Sequence, residues 1–364
     1  MMKNIVRFVL LGMFACFVSC TEKSVREIKL LEKYDSLSIS IDYPLLSNYG
    51  KLTSCVMGKE VYAVGYNHHL HSLDFINVSG GKHKVIELQR EGADAVLAPQ
   101  SFCVTDEHII WNDASGIVML TTEGKILNRL PQKELLHPEG KYFKKPLGVT
   151  NASYLNLGSD ENYAYIPLTP QETGTDMRIG KKYDKQKNTV EELPLKYPDD
   201  VLKNIEWLGG MSFPNIQSYG GKVVYNFPCS SMCFVYDGKK GKTESFDMPS
   251  MAIANEVDVE QYKNLPPRQK FEMESMASRF DKIYYSKTLN KYYRIHYAQK
   301  EKLFDKSRKM YLMVYDGRSK KTIEYQLPTG LSEQYIILDD NAYFLYAGND
   351  DDLIRLAKVS LKDL

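Results

Sequence analysis

The chain has 364 residues, 43% of them hydrophobic, and its 47 basic side chains nearly balance 46 acidic ones. That balance supplies no basic stripe for a nucleic-acid backbone, and the length allows a large core, either one closed repeat architecture or two ordinary domains. A load of 26 Tyr and 14 Phe favours half-buried strands over helices.

The first element is an export signal. Lys3 and Arg7 precede an apolar run from Phe8 to Val18, far shorter than the roughly 20 residues of a spanning helix. Phe17-Val18-Ser19-Cys20 resembles a bacterial lipobox, which implies cleavage after residue 19 and a lipidated Cys20 as the new N-terminus. Each buried methylene of the acyl chains contributes about 0.8 kcal/mol, so Cys20 would hold the domain on a membrane. Thr21 stands where Asp would signal inner-membrane retention, so the expected address is the outer membrane, with the leaflet undetermined. Cleavage removes two cations and leaves 345 residues with 45 basic and 46 acidic side chains. The expected organisation is a signal peptide at 1–19, a lipidated tether at 20–33 and one domain at 34–364.

Within that domain one phrase recurs: a strand, a turn rich in Asp, Gly, Lys or Asn, then a strand often closing on Leu-Pro. Tyr236-Asp237-Gly238 to Pro249 and Tyr315-Asp316-Gly317 to Pro328 align without a gap, and looser copies run Tyr183 to Pro194, Thr121 to Pro131 and Leu73 to Leu88. Each reads as a hairpin whose Asp-Gly or Glu-Gly turn provides a positive φ. Further strands are expected at Val61–Tyr66, His108–Trp111, Tyr163–Pro167, Lys222–Phe227, Tyr292–Tyr297 and Ala342–Tyr346. About six units spaced by roughly 45 to 80 residues predict an all-β propeller of six or seven blades; a pair of β-sandwiches is the alternative. The stretch 257–280 breaks the rhythm: after Pro266-Pro267, apolar residues from Phe271 to Phe280 fall at helical spacing, which predicts a helical insertion lying over one rim.

The lipoprotein start, the sixfold hairpin repeat, the Tyr-Asp-Gly turns and the Asn290-Lys291-Tyr292-Tyr293-Arg294-Ile295 phrase after the insert resemble the six-bladed propeller lipoproteins of Bacteroidota, in particular the DUF4221 family. The resemblance implies a fold and an address; it carries over no catalytic residue.

Four residue sets could carry chemistry. His69 and His71 would share one face of an extended chain, a spacing open to a metal, or simply belong to a solvated hairpin loop. Cys229 and Cys233 could clasp a turn as a disulfide in an exported protein, or pack as buried thiols beside Cys55 and Cys103. Asp350 and Asp352, in Asn349-Asp350-Asp351-Asp352, could attract calcium, although the alternating ligand spacing of a known calcium loop is missing. Trp111-Asn112-Asp113 and Tyr292-Tyr293-Arg294 could present flat and polar faces to sugar rings, or serve the blade core.

No Gly-x-Ser-x-Gly, His-Glu-x-x-His or Gly-x-x-x-x-Gly-Lys-Ser/Thr motif occurs, so enzymatic activity has no local signature. Three functional readings follow: a membrane-anchored module that binds an envelope protein or extracytoplasmic ligand, a glycan-binding lipoprotein in polysaccharide capture, and a lyase or hydrolase whose residues converge from different blades.

Overall fold

A computed structural model describes residues 27–40, 49, 52–80, 83–135, 157–168, 178–203, 209–252, 264–303, 308–338, 340–347 and 353–364. Cys20, Asp350 and Asp352 lie outside the described residues.

Two strands open the described chain, β1 (Glu27–Leu30) and β2 (Asp35–Ser40). Four successive four-stranded sheets follow. Blade 1 holds β3 (Leu52–Met57), β4 (Glu60–Asn67), β5 (Ser72–Asn77) and β6 (Lys84–Glu87). Blade 2 holds β7 (Ser101–Val104), β8 (His108–Asp113), β9 (Gly116–Thr121) and β10 (Ile126–Pro131). Blade 3 is formed by β11 (Gly158–Ser159), β12 (Tyr163–Pro167), β13 (Gly180–Asp184) and β14 (Thr189–Glu192). In blade 4 the strands are β15 (Asn215–Tyr219), β16 (Lys222–Asn226), β17 (Met232–Asp237) and β18 (Lys242–Asp247).

The last two blades recruit the N-terminal strands. Blade 5 has a split first strand, β19 (Arg279–Phe280) and β20 (Tyr284–Ser286), both paired with β21 (Lys291–Tyr297), then β22 (Met310–Asp316) and β23 (Thr322–Gln326); β1 adds to its outer edge in parallel with β23. Blade 6 contains β24 (Leu331–Leu338), β25 (Asn341–Tyr346) and β26 (Leu353–Ser360), and β2 completes it antiparallel to β26, from Asp35 opposite Lys358 to Ser40 opposite Leu353. The expected tether at 20–33 is therefore shortened, because residues 27–30 satisfy their backbone groups on the edge of blade 5. Joining the start of the chain to its last blade closes the ring and covers two edges that would otherwise offer unpaired backbone groups.

The apolar core confirms six blades in a ring. Its six clusters each bridge one neighbouring pair: blades 1 and 2, 2 and 3, 3 and 4, 4 and 5, 5 and 6, and 6 and 1. Strand alternation does the sorting. In blade 2, Ile109, Trp111, Val118 and Leu120 face blade 1, whereas Ile110, Ile117 and Met119 face blade 3. Both faces of each sheet are buried, so the central strands read as nearly continuous apolar runs.

The hairpin turns are built by a repeated device. Asp184, Asp237 and Asp316 each accept two backbone N–H groups through Oδ1: from Gln186 and Lys187 at 3.1 and 3.0 Å, from Lys239 and Lys240 at 3.1 and 3.2 Å, and from Arg318 and Ser319 at 2.7 and 2.9 Å. The left-handed residue comes four places after the Asp, at Asn188, Gly241 and Lys320. This corrects the expectation for the Asp-Gly turns: Gly238 and Gly317 keep ordinary φ, because the carboxylate folds the start of the loop and the reversal falls at its end. Only the Glu-Gly turn places the expected glycine there, with Gly124 at φ +83°.

Three short helices occur among the described residues: α1 (Gln132–Leu135), α2 (Asp199–Lys203) and α3 (Pro267–Met276). The last is the expected insertion. It starts with Pro267, whose missing N–H costs nothing in a first turn, is supported by an Arg268–Glu272 pair at 3.0 Å, and buries none of its residues fully. Residues 253–263 of the insertion lie outside the described residues.

Candidate functional site

The first strand of every blade faces the ring axis, and all six contribute to one cavity of ≈ 200 Å³. Thr53 and Ser54 come from blade 1, Cys103 and Val104 from blade 2, Ser159 from blade 3 and Gln217 from blade 4. The remaining wall is more polar: Asp281, Lys282 and Tyr284 from blade 5, and Glu333, Gln334 and Tyr335 from blade 6.

Irregular pairing in these two neighbouring strands explains that wall. Phe280 pairs with His296 and Tyr284 with Tyr293, so the blade 5 strand carries one residue more than its partner across this interval, and the register slips within Asp281-Lys282-Ile283 although the Asp281 N–H still donates to Ile295 O at 2.8 Å. In blade 6, Leu331 pairs with Tyr346 but Tyr335 with Phe344, so Ser332-Glu333-Gln334 oppose Leu345 alone and the strand carries two residues more than its partner. Bulges turn side chains away from strict alternation, and here they deliver four consecutive-pair polar residues to the axis.

Glu333 is the electrostatic centre of this wall. Arg279, Lys300 at 2.9 Å and Arg308 at 2.9 Å all ion-pair with it. Burial alone would raise its carboxyl, but Arg279, Arg308 and Lys300 outweigh burial and hold it at about 2. Arg308 also donates to the carbonyls of Ser275 at 2.7 Å and Ala277 at 2.9 Å, and the Lys300 N–H donates to Met276 O at 2.8 Å. Cationic and N–H donors thus satisfy the C-terminal end of α3, the end where the helix dipole favours positive charge. The insertion is thereby fastened to the channel wall. Asp281 accepts the Tyr297 hydroxyl at 2.9 Å, and that hydroxyl also lies 3.0 Å from Glu333 O. Burial pushes the Lys282 ammonium below its usual range, with Asp281 countering only in part.

The residues singled out in the sequence occupy other places. Trp111 is fully buried between blades 1 and 2, where Nε1 donates to Leu97 O at 2.9 Å and the ring meets Tyr66 edge-on. Asn112 donates to Ser101 Oγ at 3.1 Å, and Asp113 accepts from the N–H groups of Leu97 at 3.0 Å and Ser115 at 2.7 Å. Tyr292 and Tyr293 point to opposite sheet faces, toward blade 4 and blade 6 respectively. Arg294 is buried between blades 4 and 5, donating to the carbonyls of Ser230 at 3.3 Å, Ser231 at 3.0 Å and Met248, with its guanidinium 3.7 Å from the Phe280 centroid. The two triads are three blades apart and do not converge.

His69 and His71 lie in the β4–β5 turn, not along a strand, so the extended-chain face expected for them does not form. His69 is exposed; His71 is buried with φ +56° and its Nδ1 2.7 Å from the Tyr66 hydroxyl. No group of three or more metal-ligating residues converges among the described residues. Cys229 and Cys233 are free thiols beside β17, with burial pushing them up to about 12 and about 11.

Composition and motif search missed the channel wall. The available signal was the paired polar residues inside apolar strands, Asp281-Lys282 before Ile283-Tyr284 and Glu333-Gln334 before Tyr335-Ile336.

Residues 27–324 match the family model DUF4221, described as a domain of unknown function. The crystal structure of a DUF4221 member from Bacteroides vulgatus ATCC 8482 superposes with a TM-score of 0.66 at 13% identity, covering 90% of this chain and 98% of that one. A candidate exported protein from Bacteroides fragilis NCTC 9343 superposes with a TM-score of 0.52 at 12% identity, covering 92% and 99%. At such identities the likeness concerns the fold. No functionally curated protein matches. The six-bladed ring and the match over most of its length place this chain in the DUF4221 family.

Proposed function

We propose that the protein is an exported, lipid-anchored binding module of the cell envelope, held on the outer membrane through Cys20 and engaging its ligand or partner at the channel mouth beside α3. The observation that carries this reading is the union of a polar axial cavity, fed by all six blades, with an insertion fastened to its wall through Arg308 and Lys300. Such an arrangement couples an exposed recognition surface to a preformed concavity. The chemistry of the wall also favours binding over turnover. Glu333, held at about 2 and gripped by three cations, is a poor proton donor at neutral pH.

The address is supported by the signal-like N-terminal sequence and by the exported relative. Glycan capture through Trp111 or Tyr293 has less support, since both rings are already enclosed by neighbours.

In-cell crosslinking of the native lipidated chain, followed by mass spectrometry of co-purifying proteins, tests the proposal with Cys20→Ala as the unanchored control. A stoichiometric envelope partner that depends on Cys20, and is lost on charge reversal of the exposed Arg268→Glu in α3, is the expected result. Equal recovery of the same proteins from wild type and Cys20→Ala would overturn it.

A further inference from the structure

Three unsatisfied groups meet in the axial cavity. The Lys282 side chain lines it with its ammonium 5.3 Å from the Tyr284 ring, and no carboxylate among the described residues lies within ion-pair distance. Tyr335 is 4% exposed; its hydroxyl sits beside Asp281 and Tyr284 but has no partner in hydrogen-bonding geometry. Gln334 Oε1 is likewise buried without a donor. Leaving such groups unmet is costly: a half-buried ammonium gains from a counter-charge, and a buried polar atom without a partner loses the hydrogen bonds it makes in water. Elsewhere in the same wall the polar atoms are well served, since Glu333 has three cations and Asp281 takes both the Tyr297 hydroxyl and the Lys282 N–H.

The three groups define a ligand by complement. A cation calls for an anion, the phenol can donate to it, and the lone amide oxygen calls for a hydroxyl donor. Thr53 and Ser54 line the cavity as well, and their hydroxyls can exchange hydrogen bonds with a polyol. A volume of ≈ 200 Å³ corresponds to about six or seven waters at ~30 Å³ each, the scale of a single small organic molecule.

We propose that the axial cavity is a binding site for a small hydroxylated carboxylate, no larger than a sugar acid, with Lys282 receiving the carboxylate, Tyr335 donating to it and Gln334 accepting from a ligand hydroxyl. The inference rests on the reading of the protein as a binding module and names a ligand class for its channel. Glu333 does not compete with the ligand carboxylate for Lys282, because its own charge is already matched by Arg279, Lys300 and Arg308.

The test is a thermal-shift and calorimetric titration of the mature chain with glucuronate, with glucose as its neutral counterpart of equal size, at constant ionic strength. Saturable stabilisation by glucuronate, at least tenfold weaker binding of glucose, and loss of the glucuronate response in Lys282→Met are the expected results. Lys282→Met removes a buried charge and keeps the aliphatic stem, and Gln334→Leu serves as a second variant that should weaken glucuronate without altering its charge dependence. Equal response to both sugars, no response to either, or an unchanged response in Lys282→Met would overturn the proposal. Crosslinked partner capture is scored separately: capture without a glucuronate response rejects the acid ligand alone, whereas failure of both rejects the binding-module reading too.

Discussion

Replacing Glu333 with Gln keeps the size of the side chain and removes the charge that three cations surround. A carboxyl that titrates near 4.5 in the unfolded chain and at about 2 when folded contributes roughly 3 kcal/mol of stability at neutral pH. Breaking the cluster also strands Arg279, Lys300 and Arg308 close together, so the expected loss is about 3–5 kcal/mol at pH 7. For a chain of this size that corresponds to a fall in melting temperature of roughly 4–7 °C. The pH dependence gives the sharper check. Because the folded value lies below the unfolded one, the contribution is complete above pH 4.5 and is lost as pH falls toward 2. Urea unfolding followed by far-ultraviolet circular dichroism should show a wide gap between wild type and Glu333→Gln at pH 7 that narrows below about pH 4.5 and closes at about pH 2. A gap that stays constant across this range would show that Glu333 acts through packing and would refute the electrostatic account of the channel wall.

Two further substitutions address the frame around the site. Arg294→Met keeps an unbranched chain against Phe280 but leaves the carbonyls of Ser230, Ser231 and Met248 without their donor; a loss of about 3 kcal/mol in urea unfolding is expected, and a loss below about 1 kcal/mol would show that water replaces the guanidinium. Lys320 is exposed and holds φ +58° at the end of the β22–β23 turn, so Lys320→Gly should relieve left-handed strain and raise stability by about 0.5–1 kcal/mol, a result reversed if the unfolded-chain entropy of glycine dominates.

Much of the fold is legible from the residues. The strands expected at 163–167, 292–297 and 342–346 match those formed by Tyr163–Pro167, Lys291–Tyr297 and Asn341–Tyr346 within a residue. Alternating apolar side chains and Asp-led turns are local features, and local physics sets them. The Asp237 and Asp316 copies align because each carboxylate must face the N–H groups two and three residues on in the same turn. The site was less legible. Trp111 and Arg294 look like recognition residues in one dimension, yet the first meets Tyr66 edge-on in the core and the second links blade 5 to blade 4. A large side chain is equally suited to a core and a pocket, and only its neighbours decide between them.

The sequence by itself determined the repeated hairpin, the place of the helical insertion and the family resemblance, since each depends on residues close together in the chain. Tertiary structure decided how the ring closes, with β2 completing blade 6, and which side chains meet at its axis. Lys282 and Gln334 are separated by more than fifty residues and become neighbours only because blades 5 and 6 pack side by side, each with its alternation broken at that level. Such convergence follows from ring closure and strand register, which hydrophobic burial sets over the whole molecule and no local pattern records.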